Sequence, residues 1–185
     1  MKIGILSGSF NPVHIGHLAI ANYMAEFTDL KEVWLVVSPD NPHKEKDSLS
    51  NAQKRLYAVK KAVGKNPKIK VSDVEFYLSR PSYTINTLEY LKKKFPQHKF
   101  VLIIGSDNLI TFHKWKNYKK ILSGYKIYVY PRSSTLAKGR LKKISVSEEI
   151  KNHRNIIIIN APKINISSTF IREAIKDGKD MRYFM

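Results

Sequence analysis

Short apolar runs separated by segments of helical period organise this chain from end to end, and that alternation limits what it can fold into. It predicts strands at Lys2 to Leu6, Val33 to Val37, Lys68 to Val71, Phe100 to Ile104, Tyr125 to Tyr130 and Asn155 to Ile159. Between them it predicts helices over Ile15 to Phe27, Asn51 to Val63, Thr84 to Phe95, Asp107 to about Leu122, and Ser168 to Asp177. Strands that alternate with helices form a parallel sheet covered on both faces. Right-handed crossovers then make the sheet doubly wound. The expected fold class is α/β, with one domain over residues 1–185.

Ligands of such sheets sit beyond the carboxyl ends of the strands. The polar, irregular segments should therefore follow strands, and they do, at Ser7 to His17, Ser38 to Lys46, Gly105 to Asp107 and Asn160 to Ser168. Two stretches read as loops: Ser38 to Ser50, with two prolines, and Pro131 to Ser147, which has no clear periodicity.

Composition narrows the class. At 185 residues and 43% hydrophobic content the chain can bury one real core. No apolar run approaches the roughly 20 residues of a membrane span. The N-terminus turns polar too soon for a signal peptide, so a cytoplasmic protein is expected. There is no cysteine, which excludes disulfides and thiolate zinc sites. The net charge of +18 attracts polyanions, but the lysines are dispersed and no nucleic-acid-binding motif accompanies them. The charge reads first as a solvated basic surface, with a basic nucleic-acid-binding module as the alternative from a different class.

The segment Ser7-Gly8-Ser9-Phe10-Asn11-Pro12-Val13-His14-Ile15-Gly16-His17 carries the most chemistry. Gly8 allows a tight turn and close approach to a ligand. Ser9 and Asn11 offer polar side chains, and Pro12 ends the strand. His14 and His17 are three residues apart at a helix start, so they share a face where free N–H groups favour anions. Gly16 between them is expected to leave room for a phosphate or base. A polyphosphate cradle with two imidazole donors fits this pattern. A histidine metal site and a pair of packed structural histidines remain open alternatives. The dinucleotide fingerprint G-x-G-x-x-G is absent.

His14-Ile15-Gly16-His17 resembles the HxGH signature of the nucleotidylyltransferase superfamily. Ile166-Ser167-Ser168-Thr169-Phe170-Ile171-Arg172 resembles its second signature, ISSTxIR. Here Ser168 or Thr169 is expected to cap the last helix, with Arg172 one turn on. Pro42-His43-Lys44, Ser82 to Leu88, Gly105-Ser106-Asp107 and Trp115 are similar, in the same order, to the bacterial nicotinate-mononucleotide adenylyltransferase branch. The resemblance depends on both signatures, and Asn11 departs from it by replacing the usual acidic residue. Relative to the family pattern the chain also reads as truncated after the last helix.

This resemblance implies a Rossmann-like fold and transfer of the AMP part of ATP to nicotinate mononucleotide, with release of pyrophosphate, in NAD biosynthesis. A sister activity, such as pantetheine-phosphate adenylyltransfer, is the alternative within the superfamily. The implied catalytic residues are His14, His17 and Arg172. Gly8, Ser9, Phe10, Asn11, Gly105, Asp107, Ile166, Ser167, Ser168 and Thr169 are implied for ATP. Lys44, Ser82, Tyr83, Thr84 and Trp115 are implied for the mononucleotide. Mg²⁺ is expected to arrive on ATP rather than in a protein metal site. No nucleic-acid or membrane partner is expected.

Overall fold

A computed structural model of the protein describes residues 1–40, 51–132 and 146–185. Six parallel strands form one sheet in the order β3-β2-β1-β4-β5-β6. They are β1 (Lys2–Gly8), β2 (Glu32–Val37), β3 (Ile69–Ser72), β4 (Lys99–Gly105), β5 (Lys126–Tyr130) and β6 (Ile156–Ile158). Strand order reverses between β1 and β4, whose carboxyl ends therefore open a crevice where crossovers leave in opposite directions. The expected Rossmann-like sheet is the one found.

Alternate residues of each strand feed two separate cores, as a sheet buried on both faces requires. Ile3, Ile5, Leu102, Ile104, Ile127 and Val129 pack on one side, under α3 (Thr84–Lys94) and α5 (Tyr118–Gly124). Val33, Leu35, Val101, Ile103, Tyr128 and Tyr130 pack on the other, under α1 (Ile15–Phe27) and α2 (Ala52–Val63). Gly4 belongs to this packing: a Cβ there would stand 2.5 Å from Ile103 Cδ1 and 2.7 Å from Leu30 Cδ1. Among the described residues no helix is long and apolar enough to cross a membrane.

One long helix expected over Asp107 to Leu122 is broken in two. α4 (Ser106–Thr111) runs into a 3-10 turn at Phe112–Lys114, and α5 starts at Tyr118. Trp115 is extended and Asn117 lies in the left-handed region with φ 53°, so helical hydrogen bonding stops between them. A four-residue helix, α6 (Glu148–Lys151), and α7 (Ser168–Lys176) complete the set. A further 3-10 turn at Val74–Tyr77 follows β3 and was not expected from periodicity.

The carboxyl edge of the sheet is held by a buried arginine from α2. Arg55 is 3% exposed. Its Nη1 donates to the carbonyls of Ser9 (2.5 Å) and Ser38 (2.8 Å), and its Nη2 to that of Pro39 (3.1 Å). The planar fork thus joins the loops after β1 and β2. Lysine cannot span three carbonyls from one rigid plane. Arg55→Lys is expected to lose about 2–3 kcal/mol of stability, read as a lower urea midpoint at unchanged slope.

Candidate active site

The β1–α1 loop folds tightly after the strand. The sharp reversal falls on Phe10, with φ 45°, rather than on Gly8. Gly8 serves the packing instead, since a Cβ there would meet the Phe10 ring at 3.3 Å. Phe10 is buried and sets its ring edge-on to His17, with centroids 4.9 Å apart. Ser9 and Asn11 are buried as well.

His14 is the N-cap of α1, and its carbonyl accepts from the His17 N–H at 2.9 Å. The two imidazoles lie with centroids 3.7 Å apart and planes tilted by 30°. The His14 N–H donates to His17 Nδ1 at 3.3 Å. An accepting Nδ1 places the proton of neutral His17 on Nε2, and His17 lines the cleft. His14 lies behind it, 3% exposed, with Nδ1 buried and unpartnered. Burial, then the charge of Arg132, push the His14 pKa down to about 4. His14 is therefore a neutral imidazole at pH 7 and not a standing cation. Gly16 does not make room for a ligand as expected: a Cβ would stand 3.0 Å from the His14 ring and 3.4 Å from Ile164. It lets the ring and the returning C-terminal segment pack against the helix.

That returning segment is fastened by hydroxyl and guanidinium donors to backbone carbonyls. Tyr23 of α1 donates to Asn160 O at 2.7 Å, and Tyr130 at the end of β5 donates to Pro162 O at 2.6 Å. Ser168 Oγ donates to Pro12 O at 3.0 Å, and Arg172 Nη1 to Asn11 O at 2.7 Å. Arg172 Nη2 also reaches Thr169 Oγ1 at 3.2 Å. The two signature segments thus meet over one sheet edge. The cap of α7 is Ser167, which accepts from Phe170 N at 3.2 Å, and not Ser168 or Thr169 as expected. Ser168 is committed to Pro12 and Thr169 to Arg172.

A residue that sequence reasoning missed joins these parts. Arg132, just after β5, donates from Nη2 to Ile166 O at 3.2 Å and lies 3.5 Å from Asp107. Its backbone N–H donates to Ser106 Oγ at 2.9 Å, and that hydroxyl donates to Arg132 O at 2.8 Å. Nothing in the local pattern Tyr130-Pro131-Arg132 separates this arginine from the many surface cations. Asp107 Oδ1 is buried and unpartnered, an acceptor left open. Gly105 allows this, because a Cβ there would fall 2.2 Å from that oxygen.

The cleft between the carboxyl ends of β1 and β4 has a volume of about 540 Å³. One half is lined by Gly8, Ser9, His17, Gly105, Asp107 and Ser168, with Arg132 on its wall. The other is lined by Ser82, Tyr83 and Thr84 at the start of α3, and by Trp115. Ser82 Oγ is buried without a partner, so it is not a helix cap. Its N–H donates to Asp40 O at 3.1 Å. Lys116 Nζ sits 4.3 Å from the centroid of the Tyr83 ring. Trp115 is half-buried and tilts against Phe112 at 5.4 Å, which leaves part of its indole at the cleft. Lys44 lies outside the described residues. The cleft thus offers Arg132 and an imidazole on one side, and an aromatic slot closed by a helix start on the other.

The cytidylyltransferase-like family model matches residues 5–174, which include both signatures. The chain belongs to the cytidylyltransferase-like family. This nucleotidyltransferase is 52% identical over 182 residues to a protein of Flavobacterium johnsoniae named probable nicotinate-nucleotide adenylyltransferase, covering 98% of this chain and 90% of that one. A protein of the same name from Cytophaga hutchinsonii is 49% identical over 185 residues, covering 100% of this chain and 91% of that one. Among solved structures, Plasmodium falciparum nicotinic acid mononucleotide adenylyltransferase complexed with NaAD superposes with a TM-score of 0.77. It is 21% identical, with 97% of this chain and 86% of that chain covered, so the fold is what it shares.

The state of His14 has a measurable consequence. The folded protein holds this imidazole neutral down to about pH 4, while the unfolded chain takes up the proton near pH 6.5. The unfolded state binds more protons in between, so stability is full above that window and is lost as pH falls through it. Across the window the loss is on the order of 3 kcal/mol. Urea denaturation of the ligand-free protein should show this slope between pH 6.5 and 4, and His14→Asn should flatten it.

Proposed function

We propose that this enzyme transfers the AMP part of ATP to nicotinate mononucleotide, giving nicotinate adenine dinucleotide and pyrophosphate as a step of NAD biosynthesis. The observation that carries this reading is the meeting of the two chain ends: Arg172 on Asn11 O and Ser168 on Pro12 O bring the second signature beside the imidazole pair. The names of the relatives supply the acceptor. Residues 1–185 act here as one transferase domain, and its setting is cytoplasmic.

The phosphate of the mononucleotide attacks the α-phosphorus of ATP, the bond to the β-phosphate breaks, and pyrophosphate leaves with the electron pair. No general base is needed, because a phosphate monoester is mostly dianionic at pH 7. The protein contributes position and charge. His17 directs its Nε2–H at a phosphate oxygen. His14 backs it as a neutral ring, and Arg172 and Arg132 flank the polyphosphate. Gly8, Ser9, Phe10 and Asn11 shape the floor. Gly105 gives space to Asp107, which accepts from ribose hydroxyls. Ile166, Ser167 and Thr169 set α7 in register. Tyr83 and Trp115 hold the pyridine ring, with Ser82, Thr84 and the helix start facing its carboxylate. Lys44 offers a charge to the mononucleotide phosphate.

Among the described residues no cluster of three His, Asp or Glu could cage a metal. Magnesium would come with ATP, held by the phosphate oxygens. When bound, that ion would neutralise charge on the triphosphate.

Pyrophosphate release should be faster with nicotinate mononucleotide than with nicotinamide mononucleotide; the reverse order would overturn the carboxylate reading at Tyr83-Thr84. His17→Ala should fold normally and lose about 10²–10³ in kcat. Near wild-type turnover would remove His17 from the site.

A further inference from the structure

A buried carboxylate in the mononucleotide half has no role in the steps above. Glu75 stands in the 3-10 turn after β3 and is 2% exposed, yet it lines the cleft. Its Oε1 accepts from Thr87 Oγ1 at 2.9 Å and from Ser7 Oγ at 3.4 Å. Thr87 belongs to the first turn of α3, and Ser7 to the end of β1. The second oxygen, Oε2, is buried and unpartnered. Thr87 Oγ1 also lies 3.5 Å from Tyr83 O, and its one proton is better placed on Oε1. Among the described residues no lysine or arginine forms an ion pair with it.

A buried, uncompensated charge destabilises a protein unless something pairs with it. The opposite sign lines the same cleft at Lys114 and at Lys116, whose Nζ lies over the Tyr83 ring beside the start of α3. The mononucleotide half is thus negative at Glu75 and positive at Lys116. A pyridine ring joined to ribose through its nitrogen is a fixed cation, and nicotinate adds a carboxylate, so the substrate ring carries both signs as well.

We propose that Glu75 is the counter-charge to the cationic pyridinium ring of the mononucleotide, and so a specificity determinant for substrates with a charged ring. The inference rests on the acceptor proposed above. Thr87 and Ser7 hold the carboxylate in place, and substrate binding relieves its lone oxygen. Glu75 selects the charge of the ring, whereas the helix start opposite selects its carboxylate.

The test compares Glu75→Gln with wild type using three acceptors: nicotinate mononucleotide, nicotinamide mononucleotide, and the 5′-phosphate of 3-carboxyphenyl C-riboside, whose ring is uncharged. The variant keeps shape and hydrogen bonding but loses the charge. Its KM should rise about tenfold for both pyridinium acceptors, equivalent to about 1.4 kcal/mol. It should stay unchanged for the neutral acceptor and for ATP. An equal loss for all three acceptors would mean that Glu75 bonds to the ribose, and would overturn the proposal. So would no change, or a loss shared with ATP together with a lower melting temperature. A wild-type enzyme that ignores nicotinate mononucleotide would defeat the proposed acceptor itself, a result separate from any effect of the variant.

Discussion

Backbone carbonyls at the carboxyl edge of the sheet need hydrogen-bond partners, and the rest of the molecule is arranged around supplying them. Beyond the last ladder bonds, the loops after β1, β2 and β6 carry carbonyls that no neighbouring strand satisfies, and leaving such groups unpaired is costly where they are buried. Side chains from remote parts of the chain supply the donors. Arg55 covers Ser9, Ser38 and Pro39. Arg172 covers Asn11, and Ser168 covers Pro12. Arg132 takes Ile166, while Tyr130 and Tyr23 take Pro162 and Asn160. Each bond answers a local need of the backbone. Together they assemble loops from both ends of the sequence into one cleft.

The same economy fixes two guanidinium groups near the cleft. Arg132 and Arg172 each spend part of a guanidinium on protein carbonyls, which fixes the plane of the group before any ligand arrives. Pre-set donors need little rearrangement when charge develops on a reacting phosphate. His14 fits this scheme as a neutral ring beneath His17, because its own burial and then the nearby Arg132 charge disfavour a second cation there.

Strands were legible in the sequence because both faces of a parallel sheet are apolar, so Val101 to Ile104 or Val33 to Val37 can hardly be anything else. The imidazole pair and the Ser167 to Arg172 segment were legible because several unusual residues fall together within one helical turn. The helix break near Trp115 was not, since it depends on a left-handed Asn117 within an otherwise helical run. Arg55, Arg132 and Glu75 were not legible either. Each is a lone charged residue in a chain full of charge, and its meaning comes from burial (Arg55, Glu75) or from long-range partners (Arg132) that only tertiary structure creates. Gly16 was misread for a related reason: a glycine announces missing bulk, but not whether protein or ligand fills the gap.

The union of residues 11–14 with residues 160–172 has an implication for how the molecule is made. Domains gain structure from the N-terminal side as the ribosome delivers them. A nascent chain that has released its first five strands already holds most of the apolar interior, yet it lacks the segment that closes over the imidazoles. Such a chain lacks one wall of the finished cleft, so a ligand of that cleft cannot yet stabilise it by binding. Only a chain that has delivered α7 gains that support, which makes the ligand of the cleft a late stabiliser and not a template for early folding.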